Sequence, residues 1–286
     1  MWQDLATSPA GCALAVGLGL LWGSFANVCI YRIPAGESIV SPGSRCGACK
    51  APVRWYDNVP VLAYLWLRGK CRACGVTFSP RYALVEALTG ALFGVAWWFT
   101  LGTGGLLGGS IELRALHFTI DAAFVLVMVV ITYIDIDHKL IFDKVTIPAI
   151  VVFYAVTFAL PERHWWEGLV GIGVGYGVPW LIGELYFRLR KIEGLGLGDA
   201  KLLAVVGALL GWKGVVVSLF GGSVVGTVVA VTGLAFGRGK SSDAGEENPP
   251  TLMKTEVPFG PYLAIAAVFY LFAEPYVLLH FRLPGG

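Results

Sequence analysis

Two kinds of side chain in this sequence could do chemistry: aspartates at the ends of apolar runs, and four cysteines in two close pairs. Asp135 follows a segment that is apolar without interruption from Ala122 to Ile131, then reads Tyr133-Ile134-Asp135-Ile136-Asp137-His138. Asp199 sits in a glycine-rich string, Gly194-Leu195-Gly196-Leu197-Gly198-Asp199-Ala200-Lys201. A carboxylate at membrane depth is costly and asks for a reason. Two carboxylates brought together in a low dielectric cannot both ionise cheaply, so they hold one proton between them. The ionised member can act as general base on a water. The protonated member can polarise a peptide carbonyl and later protonate the leaving amine. Asp135 and Asp199 are therefore the expected catalytic pair. Gly196 and Gly198 are the expected active-site loop, where missing side chains let a substrate backbone approach and let the chain adopt positive φ. Asp137 points about 200° round a helix from Asp135 and is expected to be solvated. Asp143 is placed to cap the next helix.

The cysteines form the array Cys46-Gly-Ala-Cys49 and Cys71-Arg-Ala-Cys74, a C-x2-C-x21-C-x2-C spacing. Four thiolates so spaced suit one tetrahedral zinc ion, with each pair on a tight turn that Gly47 and Gly75 fit. All four ligand positions are filled, so the zinc is expected to be structural. An insert of this size builds little core unaided, and a metal supplies the missing folding energy. Two disulfides are the competing arrangement, disfavoured in a reducing compartment. Cys12 and Cys29, inside an apolar run, are expected to be small packing residues.

These residues must be positioned by a membrane bundle. The chain of 286 residues is 56% hydrophobic and 14% charged, and its apolar residues come in long runs. Runs approaching the roughly 20 residues that cross a bilayer point to an all-α polytopic membrane protein. Eight transmembrane helices are expected: Ala10–Tyr31, Tyr82–Leu101, Ala115–Ile134, Val145–Leu160, Trp166–Phe187, Lys201–Gly211, Gly214–Phe236 and Pro258–Phe281. Met1 to Pro9 has no basic region and no small-residue cleavage site, so the first run is expected to remain as a helix. The chain then divides into a first transmembrane helix (1–31), a small zinc-ribbon-like cysteine insert (32–81) and a transmembrane bundle (82–286) with a flexible loop near 237–257. Alternating the loops puts 17 basic residues on one side and 4 on the other, all 21 in the chain. By the positive-inside rule the insert, Asp135 and Asp199 are cytoplasmic and both termini lie outside. The further acids Asp121, Glu86 and Glu184, inside or near the ends of spans, are expected to serve polar packing between helices.

Several strings resemble the type IV prepilin peptidases, the prepilin leader peptidase–N-methyltransferase family of GxGD-type aspartic peptidases. They are Gly23-Ser24-Phe25-Ala26-Asn27 through Pro34, Ser44-Arg45-Cys46, Arg54-Trp55-Tyr56-Asp57-Asn58-Val59-Pro60, Arg68-Gly69-Lys70-Cys71, Ser79-Pro80-Arg81-Tyr82, Ile134-Asp135-Ile136-Asp137-His138 and Gly196-Leu197-Gly198-Asp199-Ala200-Lys201-Leu202. The family often reads L-P-D where this chain has Ile141-Phe142-Asp143. The resemblance implies an aspartic endopeptidase of the bacterial inner (cytoplasmic) membrane. Such an enzyme cuts the basic leader of prepilins or pseudopilins on the cytoplasmic side, after a glycine, with Asp135 and Asp199 as the catalytic pair. It also implies N-methylation of the new amino terminus from S-adenosylmethionine. The expected partners are those substrates and the lipid bilayer, with no nucleic acid; type IV pilus and type II secretion substrates are equally open. The alternatives are a proton- or ion-coupled transporter using the same aspartates, and a zinc-ribbon membrane scaffold in which they are dispensable.

Overall fold

The computed structural model describes residues 2–102, 109–191, 196–235 and 258–281. The expected loop near 237–257 and the Gly194-Leu195 start of the glycine string lie outside them. Among the described residues the secondary structure is helical, and the only β pairings are two isolated bridges in the cysteine insert. The helices in chain order are α1 (Trp2–Thr7), α2 (Pro9–Arg32), α3 (Leu62–Trp66), α4 (Arg81–Trp97), α5 (Ile111–His138), α6 (Asp143–Thr157), α7 (Trp165–Arg190), α8 (Leu197–Ala235) and α9 (Gly260–Phe281).

Six of them are long and apolar enough to cross a bilayer: α2, α4 with the wide turn Trp98–Gly102 that extends it, α5, α7, α8 and α9. The expected eight is not reached by that measure, for two reasons. Helix α6 has 15 residues, about 22 Å of rise against a hydrocarbon layer of about 30 Å. The sixth and seventh expected spans are joined in α8, whose helical backbone is interrupted at Gly211 (φ 64°, ψ −172°). That interruption falls at the expected division between them. Only glycine takes such a backbone without strain.

The chain forms two compact units. One comprises Met1–Ile134, Phe142–Ala149 and Leu271–Gly286. Here α2 and α4 pack through small residues at a spacing of four. A Cβ on Gly19 would lie 2.8 Å from the Gly90 backbone, and one on Gly23 would lie 2.7 Å from Glu86 Cα. Without driving force from water, helices associate by such close backbone approach. The indole N–H of Trp97 donates to Ala6 O at 2.7 Å, tying α1 down, and Phe99 stacks on Phe272 at 5.3 Å.

The second unit comprises Asp135–Ile141 and Ile150–Tyr270. Its centre is the first half of α8, where Leu202–Leu210 is buried on every side. Helix α7 lies antiparallel on it: a Cβ on Gly175 would overlap the Leu203 carbonyl, and one on Gly171 the Gly207 carbonyl. The second half of α8 meets the start of α9, with Gly222 against Leu263 and Gly226 against Tyr262. The outer surface of α7 exposes Leu169, Val178, Trp180, Leu181, Ile182 and Leu185. An apolar stripe of that size is expensive in water and costs nothing against lipid.

Candidate functional site

Asp135 lies one turn from the end of α5 and is 5% exposed, in the second unit. Its Oδ2 accepts a buried hydrogen bond of 3.1 Å from the backbone N–H of Gly260, the first residue of α9. First-turn amides of a helix have no partner inside the helix and carry its positive dipole end, so a carboxylate is a fitting acceptor there. Space is tight: a Cβ at position 260 would sit 2.6 Å from Asp135 Oδ2. The chain leaves α5 through Lys139, which has a left-handed φ of 52° and donates its N–H to Asp135 O at 2.8 Å. Asp137, two residues on, is exposed, as its helical position leads one to expect.

Asp199 stands in the first turn of α8, partly buried, and its carboxyl is within electrostatic reach of Asp135. Its backbone N–H closes a turn onto Gly196 O at 3.1 Å. A Cβ on Gly196 would be 3.6 Å from Asp199 Oδ2, and one on Gly198 would be 3.3 Å from the Ile141 side chain. Ile141 also approaches Gly260, 3.5 Å from where a Cβ would be. Asp135, Ile141, Gly196, Gly198, Asp199 and Gly260 thus meet in one place. The sequence reading missed Gly260, which lies 125 residues from its acceptor. The expected positive φ is not found at Gly198. Its value is close packing, because it is already inside α8 and takes helical backbone. Asp143 begins α6.

The four cysteines form the other cluster. One ligand sulfur from each of Cys46, Cys49, Cys71 and Cys74 lies within 4.8 Å of the others. Cys46 Sγ and Cys74 Sγ are 3.9 Å apart, close to the roughly 3.8 Å edge of a sulfur tetrahedron with Zn–S bonds of about 2.3 Å. The donor set therefore fits one tetrahedral ion. The two pairs repeat one turn. Cys46 N–H donates to Ala51 O and Lys50 N–H to Cys46 O; Cys71 N–H donates to Val76 O and Gly75 N–H to Cys71 O. The left-handed position falls one residue after each second cysteine, on Lys50 (φ 58°) and Gly75 (φ 71°). Gly47 lies within the first turn and does not take it. The N–H of Cys49, aimed at the Cys46 sulfur, pulls that thiol down to about 6. At Cys74 the Val76 N–H acts in the same direction, but burial and the neighbouring sulfurs outweigh it and push the thiol up to about 11.

The insert is fastened by polar links. Arg72 grips Asp57 with Nε and Nη2, the shortest contact being 2.6 Å, and holds its carboxyl below the usual carboxylate range. The guanidinium groups of Arg54 and Arg72 both lie against the Tyr56 ring, at 5.8 and 5.6 Å. Glu86 is hydrogen-bonded to Ser24 of α2, the polar packing between helices expected of it, and also accepts the Val61 N–H at 2.7 Å, which joins α4 to the insert. Glu184 pairs with Arg188 one turn along α7 at 2.7 Å. Cys29 is buried in α2, as a packing residue should be.

Comparison with known proteins matches residues 18–100 to the bacterial peptidase A24 N-terminal domain and residues 122–231 to the type IV leader peptidase family. Proteins called prepilin leader peptidase/N-methyltransferase are similar along most of the chain. The Myxococcus xanthus (strain DK1622) protein is 31% identical, covering 91% of this chain and 89% of its own length. That of Neisseria gonorrhoeae is 35% identical, covering 78% and 82%. That of Pseudomonas putida is 35% identical, covering 93% and 92%. No solved structure matches. The transporter alternative finds no support in these matches. With six apolar helices and bacterial relatives throughout, this is a multi-pass bacterial membrane protein, and the chain belongs to the type IV leader peptidase family.

Proposed function

We propose that the protein cleaves the leader of type IV prepilins or pseudopilins at the cytoplasmic face of the inner membrane, with Asp135 and Asp199 activating water, and then N-methylates the exposed amine. The observation that carries the reading is the buried Asp135 carboxyl, held by Gly260 N–H at 3.1 Å with Asp199 in electrostatic reach. The Gly260 bond occupies Oδ2 and leaves Oδ1 for a water or a substrate carbonyl. One aspartate takes a proton from the water as its oxygen bonds to the scissile carbon. The other donates its proton to the departing amine as the C–N bond breaks, and the pair returns to holding one proton. The family membership and the names of the similar proteins favour this substrate class. The 17 to 4 division of basic residues favours the cytoplasmic side, where a basic leader would remain while the apolar stem lies in the bilayer.

On this reading residues 32–81 are a cytoplasmic insert between the first span and the peptidase bundle of 82–286. Cys46, Cys49, Cys71 and Cys74 would hold a zinc ion that stiffens the insert and, with no open position, binds no substrate. S-adenosylmethionine, when bound, supplies an electrophilic methyl group. The test uses the purified full-length protein and a prepilin substrate, with Asp135→Asn and Asp199→Asn made singly. Each removes a carboxylate without changing side-chain size, and each is expected to cut cleavage by roughly 10²–10⁴-fold or more while circular dichroism stays native. Unchanged cleavage in either variant would reject the site.

A further inference from the structure

Among the described residues, the one α-helix inside the cysteine insert is α3, Leu62-Ala63-Tyr64-Leu65-Trp66, and its two faces differ. One face is fastened inward. Ala63, Tyr64 and the following Leu67 line a cavity beneath the insert. The Tyr64 ring lies over Gly69, where a Cβ would be 2.9 Å from Tyr64 Cζ, and Gly69 N–H donates to Tyr64 O at 2.9 Å. The other face carries Leu62, Leu65 and Trp66, which are 64%, 65% and 83% exposed. Their i, i+3, i+4 spacing puts three large apolar groups on one stripe. Trp55, on the turn Trp55–Asn58 that packs against α3, is exposed as well.

The fold holds this stripe at the depth where two spans end. Val61, immediately before α3, donates its N–H to Glu86 Oε2 at 2.7 Å. Glu86 is on the second turn of α4, about 7.5 Å of rise from its start at Arg81. Gly23 of α2 lies at the same level, because a Cβ there would be 2.7 Å from Glu86 Cα, and α2 continues beyond it to Arg32. Helix α3 therefore begins beside the ends of both spans. Near that level α2 exposes Trp22 and Phe25, and α4 exposes Leu84 and Leu88. Those are surfaces that lipid covers, and the stripe on α3 starts where they end. The charge around α3 has one sign. From Asn58 to Val85 the chain contains Arg68, Lys70, Arg72 and Arg81 and no acid. Arg72 is engaged by Asp57, whereas Arg68 and Lys70, directly after α3, have exposed side chains.

We infer that the outer face of α3 docks on the bilayer surface. Leu62, Leu65 and Trp66 enter the boundary between headgroups and acyl chains, and Arg68 and Lys70 meet anionic headgroups. An apolar helical face with Trp on it and basic residues beside it is the composition that lies in the interfacial plane. Indole favours that boundary, and each basic residue near an anionic leaflet adds attraction. A single short helix binds lipid weakly by itself, but α2 and α4 deliver this one to the surface, so the contact forms at high effective concentration. It is a further attachment of the insert, and one whose strength depends on the lipid. The docking stands apart from the proposed cleavage and methylation and requires neither.

The test uses the full-length protein in liposomes of phosphatidylethanolamine and phosphatidylglycerol, with a prepilin present. Leu65→p-benzoylphenylalanine supplies a photocrosslinker on the stripe, and mass spectrometry identifies what it captures. A lipid adduct is expected. Capture of the prepilin or of a second copy of the chain in place of lipid, or no adduct at all, overturns the docking. Tryptic cutting after Arg68 and Lys70 in the accessible population is the second measurement. Leu65→Ser with Trp66→Ser is expected to speed it roughly tenfold or more, with circular dichroism unchanged. Equal rates in wild type and a folded double variant overturn the docking; if the double variant does not fold, the adduct at position 65 decides. Wild type is expected to be cut faster in phosphatidylcholine liposomes than in those containing phosphatidylglycerol, and equal cutting in the two overturns the role given to Arg68 and Lys70.

Discussion

The cysteine insert and the aspartate site hold their shape by opposite means. Between Ile33 and Pro80 the buried residues are Cys46, Pro60 and Gly69, with no apolar cluster among them. Among the described residues, three of the five non-glycine positions with left-handed backbone, Lys50, Val61 and Arg68, lie in this stretch. Its shape depends on point attachments: four sulfurs, the Arg72–Asp57 grip, and the Glu86 bond to Val61. The aspartate site rests on α8, buried without a break from Leu202 to Leu210 and locked to α7 by facing glycines. Apolar packing is distributed over many weak contacts, whereas a metal-held loop can lose its shape through one event.

The sharpest challenge to this contrast is removal of metal. Chelation, or Cys46→Ser with Cys71→Ser, is expected to abolish metal content and make 33–80 sensitive to protease. Cleavage of a short prepilin peptide is expected to fall far less. Metal analysis, limited proteolysis and the cleavage assay check it; a wild-type insert without zinc would break the contrast outright. A smaller effect is expected inside the aspartate site. Gly260→Ala puts a methyl group where the Asp135 oxygen lies 2.6 Å away. It should lower kcat for cleavage by roughly 10–100-fold through misplacement of the acid, with thermal stability close to wild type. Loss of fold instead would mean that position 260 serves packing and not the carboxyl. Overfilling the α7–α8 contact with Gly171→Ala, against the Gly207 carbonyl, is expected to destabilise the second unit by about 1–3 kcal/mol. Thermal unfolding should register it, with protease sensitivity of the insert unchanged.

The smallest expected effect is electrostatic. The Arg72 guanidinium hydrogen-bonded to Asp57 holds that carboxyl below the ordinary carboxylate range. A carboxyl depressed in the folded protein stabilises it fully above the unfolded value, about 3.9, and the contribution is lost as pH falls through the lower folded value. The insert is therefore expected to loosen on acidification below about pH 4. Asp57→Asn should already be somewhat loosened at neutral pH and show less further change on acidification. Proteolysis of 33–80 across that window measures it, and an identical acid response in wild type and variant would remove Asp57 from the account.

Much of this was legible in the residues. The C-x2-C pairs identify a metal-type cluster because ligand chemistry fixes which side chains can serve and how closely they must recur. Asp135 stands out because a carboxylate closing an apolar run is conspicuous in composition alone, and Asp199 because it follows a glycine-rich string where the next apolar run begins. The four-residue glycine spacings, Gly19 and Gly23 on α2 and Gly171 and Gly175 on α7, went unread, because only the packed helices give them partners. Gly260 was not legible. It contributes a backbone N–H, which every residue but proline possesses, and its partner is 125 residues away. Glu86 was read as an acid in polar packing between helices, but its bond to a strained Val61 amide belongs to a loop whose shape local propensity does not encode.

What the sequence determined by itself was the medium and the reagents: apolar runs that only a bilayer solvates, and acids and thiols whose chemistry follows from their type. What the tertiary structure alone decided was adjacency. A backbone amide at the start of one helix meets a carboxyl at the end of another, and the Val61 amide of the insert meets the Glu86 carboxylate of α4. Both arise from packing between segments distant in the chain, where distance and direction, and not residue type, set the interaction.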